Sequence, residues 1–385
     1  MARVGEVFAA ALRLGLTSFG GPIAHIGYFR AEYVQRRRWL DDAAFAELVA
    51  VAQFLPGPAS SQVGMAVGYT RAGLPGALAG WAGFTLPSAL AMAAFGVVAA
   101  TQDLADQPWL AALKLVAVAV VLDAVIGMAQ RLTATLATAA IAVVTAVALL
   151  LLPTSGLLQV GCLLVAAAVG LVLFRRTALA SGGPLPLRIG RRTGVVCLTA
   201  LSALFLLLPV LEATGVLGDL AAGVYRAGGL VFGGGHVVLP LLETETVPDL
   251  VSETEFLAGY GLAQALPGPL FTFATYLGQV AAGLPGALVA TVFVFLPGLL
   301  VLLGVLPFWQ AIRGSARVQA ALVGVNAAVV GLLGAALVDP IVAESVSSAA
   351  DLLFAGVLFA ALRVAHLPPW VVVVGAVAAS PLLAL

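Results

Sequence analysis

Long runs of apolar residues fill most of the chain, and short polar or basic segments separate them. One helical crossing of a ~30 Å hydrocarbon core takes about 20 residues at a rise of 1.5 Å each. About a dozen such segments would use most of the 385 residues. The pattern therefore predicts an all-α polytopic membrane protein with no soluble catalytic domain.

Composition supports this class, because 62% of the residues are hydrophobic and only 9% are charged, against about 25% charged in soluble domains. The 18 basic and 18 acidic residues balance, so a nucleic-acid partner is not expected. Cys162 and Cys197 stand singly in apolar runs and are interpreted as small hydrophobic residues. The chain has no phosphate-binding loop or dinucleotide motif, so neither a cofactor nor ATP-driven pumping is expected.

Three motifs occur twice in the same order, with offsets of 213, 211 and 210 residues. They are FGG at 19–21 and 232–234, AQxLPGP at 52–58 and 263–269, and GLPGAL at 73–78 and 283–288. Chance does not give three ordered repeats, so a tandem duplication is predicted. Its parts are a first repeat at 1–175, a basic linker with one connecting helix at 176–212, and a second repeat at 213–385.

Basic residues mark cytoplasmic loops, and the arginines at 36–38 and at 175–192 give the orientation. All charged loops agree if the first PGP segment, about 43–70, is re-entrant. The connecting helix then inverts the second repeat, whose acidic loop at 243–255 lies outside. The expected architecture is two inverted repeats with about nine full crossings and four broken hairpins, at the FGG and PGP breaks. The C-terminus is expected outside.

Broken helices inside a membrane occur only where the backbone is buried in protein or lines a watery cavity. Paired breaks in two repeats are typical of secondary transporters, and the helix that restarts after each break favours an anion. The glycines predicted to shape this substrate site are Gly20, Gly21, Gly57, Gly233, Gly234 and Gly268.

Arg13 and Arg226 are repeat equivalents, and each precedes the FGG phenylalanine by six residues in an apolar stretch. A central arginine costs about 2.5–3.5 kcal/mol on insertion scales, so two at matched positions favour a functional role. Together they would neutralise a dianion with bidentate hydrogen bonds. The alternative is that both side chains extend to the lipid headgroups from helix ends.

Several polar residues near the breaks are weaker candidates for substrate binding. His25 and His236 could donate to an oxyanion, or could be hydrogen-bonded structural residues. The amides of Gln53 and Gln264 could bind substrate or satisfy backbone at the kinks. Ser60, Ser61, Gln62 and Thr272 could line the site or cap the restarted helices. Asp123 and Glu47 are the candidates for proton coupling, although a buried Asp paired with an arginine would look the same.

The motifs FGGP, AQFLPGP and GLPGAL, with their copies, resemble those of the chromate ion transporter family in its long, two-half form. The resemblance covers essentially the whole chain and implies export of chromate, with sulfate as a similar tetrahedral dianion. The second half departs from the first in having Gly235 where Pro22 stands and LFT where ASS follows PGP. The two half-sites are therefore not expected to be equivalent.

The resulting hypothesis is a multi-pass carrier of the inner (plasma) membrane that exports chromate by alternating access, driven by membrane potential, proton coupling or both. Membrane lipids surround it, and a homodimer is left open. A sulfate or other oxyanion carrier and an anion channel are the alternatives. A membrane-embedded enzyme is disfavoured, because the acids are isolated and no metal set or redox motif is present.

Overall fold

The computed structural model describes residues 2–101, 108–152, 155–174, 189–232, 235–309, 312 and 315–380. Within these ranges the chain is helical and contains no strand. The helices are α1 Ala2–Thr17, α2 Gly21–Phe29, α3 Asp42–Phe54, α4 Ala59–Thr101, α5 Pro108–Leu132, α6 Leu136–Leu151, α7 Gly156–Leu173, α8 Arg191–Glu212, α9 Val216–Leu230, α10 Val238–Thr246, α11 Glu253–Ala263, α12 Phe273–Val305, α13 Ala316–Ala336, α14 Ala349–Arg363 and α15 Pro369–Ala379. A π-helix Arg30–Arg36 extends α2, and another, Leu337–Val342, extends α13.

Six helices of the described chain are long and apolar enough to cross a membrane. Two shorter apolar helices, Leu136–Leu151 and Pro369–Ala379, fall below that length. These features confirm the predicted class, an all-α membrane protein with several crossings. The count of about nine crossings and the inverted orientation stay predictions.

Side-chain caps define where many of the helices begin. A hydroxyl or carboxylate accepts the amide hydrogen of the third helical residue, one of the four donors that a helix leaves free at its start. The capping residues are Asp41, Thr135, Ser155, Ser252, Ser315 and Ser348. Each stands just before an apolar run, so the start of the helix is encoded locally.

The GLPGAL motif folds α4 and α12 back on themselves. Ala72 and Gly73 leave helical geometry with φ/ψ of −148°/24° and 62°/−151°, and Ala282 and Gly283 repeat these values within a few degrees. Positive φ favours glycine at the turn. The segments before and after it pack so closely that a Cβ on Gly68 would lie 2.2 Å from the Gly76 carbonyl oxygen.

Small residues allow the first helix of each repeat to pack closely on the arm after the turn. A Cβ on Gly15 would lie 2.6 Å from the Phe84 carbonyl oxygen, and one on Gly228 would lie 2.1 Å from that of Val294. These pairs have matching positions in the two repeats. The same contact therefore joins α1 to α4 and α9 to α12.

Two basic segments of the first repeat lie side by side. The guanidinium groups of Arg37 and Arg71 lie 5.0 and 4.9 Å from the ring centre of Trp39. Glu6, near the start of α1, pairs with Arg71 at 3.6 Å. The loop after α2, the turn of α4 and the start of α1 therefore share one end of the molecule.

Candidate functional site

The FGG and PGP breaks of opposite repeats are joined by reciprocal backbone hydrogen bonds. The Gly57 amide donates to the Val231 carbonyl at 2.8 Å, and the Gly268 amide donates to the Ser18 carbonyl at 2.9 Å. Val231 and Ser18 each immediately precede the phenylalanine of an FGG motif. Such reciprocity is the contact pattern of a twofold relation. Each break is thus completed by the other repeat.

A cavity of about 110 Å³, here named the central cavity, lies where the first FGG break meets the second PGP break. Its lining includes six residues that the sequence singles out: Gly20, Gly21, Asp123, His236, Gln264 and Gly268. This volume exceeds the roughly 10–15 Å³ that one bound water requires on the same measure, so the space suits a small ion or several waters. It combines residues from both repeats.

The start of α2 borders this cavity at Gly20 and Gly21, and the next residue, Pro22, has no amide hydrogen. Gly20 and Gly21 have φ of 93° and 78°, which residues with a side chain rarely adopt. No side chain caps α2. A helix start with free N–H groups and a positive dipole end favours an anion. The glycines therefore create an uncapped donor site.

A polar group from the second repeat faces the same space. Nδ1 of His236 lies 2.8 Å from the hydroxyl of Tyr260, which orients the imidazole ring. The side-chain nitrogen of Gln264 is buried and has no well-aligned hydrogen-bond partner, and the Tyr260 hydroxyl is the polar group that interacts with the Gln264 side chain. Because Gln264 lines the central cavity, a bound oxyanion would satisfy this donor.

An ion pair borders the central cavity through Asp123, which lines it. Arg363 of α14 donates to the Asp123 carboxylate at 3.2 Å and to the Gln130 amide oxygen at 2.9 Å. Both charged side chains keep more than a third of their surface exposed. The pair places a cation beside the cavity and compensates the Asp123 charge.

The other pairing of breaks, first PGP with second FGG, has different side chains. Gln53, the equivalent of Gln264, is exposed. Buried Gln62 donates instead to the Pro56 and Gly298 carbonyls, at 2.8 and 3.1 Å. His25 is buried against Phe84, with ring centres 5.4 Å apart, and does not line the central cavity. The two half-sites therefore differ.

The two repeat-related arginines lie outside the central cavity, and each pairs with a glutamate 19 residues further on. Nη1 of Arg13, which is 55% exposed, lies 3.9 Å from Glu32. Arg226 donates to Glu245 at 2.9 Å through Nε and also contacts Glu212. Together with Gln159, this Arg226 cluster lines a separate space of about 320 Å³, here named the arginine cavity.

The other described residues that were predicted for the site do not line the central cavity and make contacts within the fold instead. Trp309 donates to the Glu47 carboxylate at 2.8 Å, so Glu47 joins α3 to the segment that follows α12 in the second repeat. Thr272 donates to the Pro269 carbonyl at 2.9 Å, and its side chain makes no cap hydrogen bond to α12. Ser60 and Ser61 are buried at the start of α4. Gly57 takes part in the reciprocal bond, and Gly233 and Gly234 lie outside the described residues.

Sequence reasoning overlooked two residues at the central cavity. Tyr260 precedes Gln264 by four residues on the same helix, a spacing that places both on one face. In the sequence, Arg363 is only a basic residue that indicates the orientation of a loop, because its partner Asp123 lies 240 residues away. Tyr260 could have been found from helical periodicity, but Arg363 could not.

The matching family model is described as "Chromate transporter" and covers residues 5–174 and 218–380. A chromate transport protein of Pseudomonas aeruginosa is 32% identical over 359 residues, 89% of this chain and 83% of that protein. A probable chromate transport protein of Synechococcus elongatus is 30% identical over 85% of this chain and 82% of its own length. A chromate transport protein of Cupriavidus metallidurans is 29% identical, with coverage of 85% and 80%. No solved structure matches the chain significantly.

Proposed function

Because this chain belongs to the chromate transporter family, we propose that it exports chromate from the cytoplasm across the inner membrane by alternating access. One observation carries the proposal. The central cavity is built from a break of each repeat and combines free donors with a charged pair. Such a site between repeats is where secondary transporters bind their substrates.

The proposed binding mode uses donors of three kinds. The uncapped amides at Gly20 and Gly21 and the side-chain nitrogen of Gln264 donate to the chromate oxygens. His236, oriented by Tyr260, contributes a ring N–H. Arg363 supplies positive charge next to the cavity, and Asp123 keeps that charge in place when no anion is bound.

Arg13 and Arg226 have a supporting role in this proposal. Glu212 and Glu245 contact the Arg226 guanidinium, so its charge is compensated before any substrate binds. Arg13 is exposed and lies 3.9 Å from Glu32, whose carboxylate already accepts from Arg36 and Arg37, and it does not line the central cavity. The Arg226–Glu245 pair links the two segments of the second FGG hairpin, and Arg13 and Glu32 occupy the matching positions in the first. The donors of the central cavity therefore replace the two-arginine site as the proposed binding group.

Physics favours the export direction for an uncoupled dianion. Moving one charge through 100 mV corresponds to about 2.3 kcal/mol, so a dianion leaving an inside-negative cell gains about 4.6 kcal/mol per 100 mV. Uptake would need at least two co-transported cations to cancel this amount. Efflux needs no coupled ion, and proton coupling would add to the driving force.

The test is chromate flux in proteoliposomes, with the membrane potential and the pH gradient set independently. Wild-type protein is expected to move chromate along the potential. Absence of flux under every gradient would refute the proposed function. Excess sulfate distinguishes a chromate carrier from a general oxyanion carrier, and single-channel currents would identify a channel.

A matched pair of variants tests the site itself. Gln264→Leu removes the unpartnered donor at the central cavity and is expected to lower chromate flux at least about tenfold, the effect of ~1.4 kcal/mol. Gln53→Leu changes the exposed repeat equivalent and is expected to retain wild-type flux. Equal effects of the two substitutions would contradict the assignment of the central cavity.

A further inference from the structure

A third cavity, of about 280 Å³, lies apart from the substrate site. Its polar lining consists of Gln159, Glu243, Thr244, Glu253 and Asp339, and we name it the acidic chamber. These residues come from α7, α10, α11 and the π-helical extension of α13. None of them lines the central cavity. The loop that the sequence predicts to be solvated thus contributes carboxylates to a polar pocket that opens to the surface at Asp339.

Gln159 gives an independent indication of what the chamber binds. Its side chain is 97% buried, and its nitrogen donates to the Thr244 hydroxyl at 2.7 Å. The Thr244 hydroxyl hydrogen is already used on the Pro240 carbonyl, so the atom facing Thr244 must be the amide nitrogen. The side-chain oxygen of Gln159 is then the atom that is buried without a partner. This acceptor requires a hydrogen donor, and deprotonated carboxylates provide none.

Burial and charge favour a proton over a metal ion. The pKa of Glu243 is raised to about 8, first by burial and then by the carboxylates of Glu253 and Asp339. The pKa of Glu253 is raised mainly by burial. The Glu344 carboxylate raises it further, whereas Lys114 lowers it. Within the described residues no His, Cys, Asp or Glu group is arranged to hold a metal.

We propose that the acidic chamber is a proton-binding site in which protonated Glu243 shares its hydrogen with the free oxygen of Gln159. A solvated proton from the compartment that the acidic loop faces binds the Glu243 carboxylate, whose charge changes from −1 to neutral. No covalent bond between heavy atoms changes. The site is distinct from the Asp123–Arg363 pair.

The fold connects this chamber to the proposed substrate site, and the following consequence depends on the proposed transport function. His236 precedes Glu243 by seven residues, and the helical segment between them covers about 10 Å at 1.5 Å per residue. Glu245 on the same helix holds Arg226. Neutralising Glu243 therefore acts on the element that presents His236 to the central cavity, and chromate transport should depend on the pH of that compartment.

Infrared titration of the purified protein tests proton binding without any transport. Wild-type protein is expected to lose a carboxylic-acid C=O band near pH 8, and Glu243→Gln should lack that band. Glu253→Gln should shift the titration to lower pH, because it removes a neighbouring negative charge. Asp249→Asn, at an exposed site of the same loop, should leave the titration unchanged. A band that persists in Glu243→Gln would overturn the proposal.

Flux in everted vesicles then tests the coupling. Wild-type chromate flux is expected to change several-fold across pH 8 in the lumen, whereas Glu243→Gln should transport at a rate independent of this pH. If Glu243→Gln keeps the pH dependence of the wild-type protein, the coupling is refuted and the pH dependence belongs to another group. Failure of wild-type transport would refute the proposed function instead, and the infrared result would still stand.

Discussion

At the residue scale, Arg226 shows how a position matched between repeats acquires its role from its neighbours. Its guanidinium contacts Glu212 and Glu245, and Glu245 is only 12% exposed. Arg13 and Glu32 occupy the equivalent positions in the first repeat. The sequence locates both arginines correctly in apolar stretches, but it does not indicate which carboxylate packs beside each one.

Removing Arg226 is expected to destabilise the protein through the carboxylate that it leaves behind. Arg226→Met should lower stability by about 1–3 kcal/mol, the cost of an unsatisfied buried polar group. The double variant with Glu245→Gln should recover part of this loss. Thermal unfolding in detergent measures both effects. A double variant as unstable as the single one would argue against the ion pair as the cause.

Glu243 makes stability depend on pH. Its pKa rises from 4.5 to about 8, so the folded protein binds this proton more tightly than the unfolded chain does. The stabilisation is therefore complete below pH 4.5 and is lost as the pH rises through 8. The melting temperature of wild-type protein should fall over this range more steeply than that of Glu243→Gln. Parallel curves for the two proteins would contradict the assignment.

Six of the residues predicted for the site come together at the central cavity, and most of them lie within or next to a break. Glycine and proline motifs are local signals, so the breaks could be found from the sequence. The side-chain partners could not be found, because Asp123 and Arg363 lie on helices that are distant in sequence.

At the element scale, the hairpins within α4 and α12 depend on close backbone contact. The sequence shows GLPGAL as a repeated motif but does not assign the reversal to it. The structure places the reversal at Ala72–Gly73 and at Ala282–Gly283. With a Cβ at either Gly68 or Gly278, the two arms of the hairpin would have to separate.

Gly68→Ala and Gly278→Ala should therefore strongly reduce the amount of folded protein. A Cβ at either position would lie 2.2 Å from a backbone oxygen of the opposite arm, and backbone cannot rotate away as a side chain can. Gly127→Ala is the matched control, because no atom lies within 4 Å of its Cβ position on α5. Higher helix propensity should leave this variant equally or more stable, by up to about 1 kcal/mol. Size-exclusion profiles in detergent measure the outcome.

At the scale of the whole molecule, each repeat completes the break of the other. The reciprocal amide bonds of Gly57 and Gly268 cross between repeats, and the central cavity combines residues from both. Rocking of one repeat against the other would open and close a site in this position, as alternating access requires.

A chain cut between residues 180 and 181 tests this dependence. The two parts, expressed together, should copurify and transport chromate, because noncovalent contacts hold the breaks. Either part alone should be inactive, since it lacks half of the central cavity. Chromate flux from one part alone would refute a site shared between the repeats.

The sequence by itself determined the membrane class, the all-α fold, the paired motifs and the positions of the FGG and PGP breaks. These properties depend on local composition and on the order of motifs along the chain. Only the tertiary structure decided which pair of breaks forms the polar cavity, that Arg226 is paired, and that Glu243 lines a pocket with Glu253 and Asp339. Burial and charge compensation depend on packing between distant segments: Gln159 and Thr244 touch across 85 residues of chain.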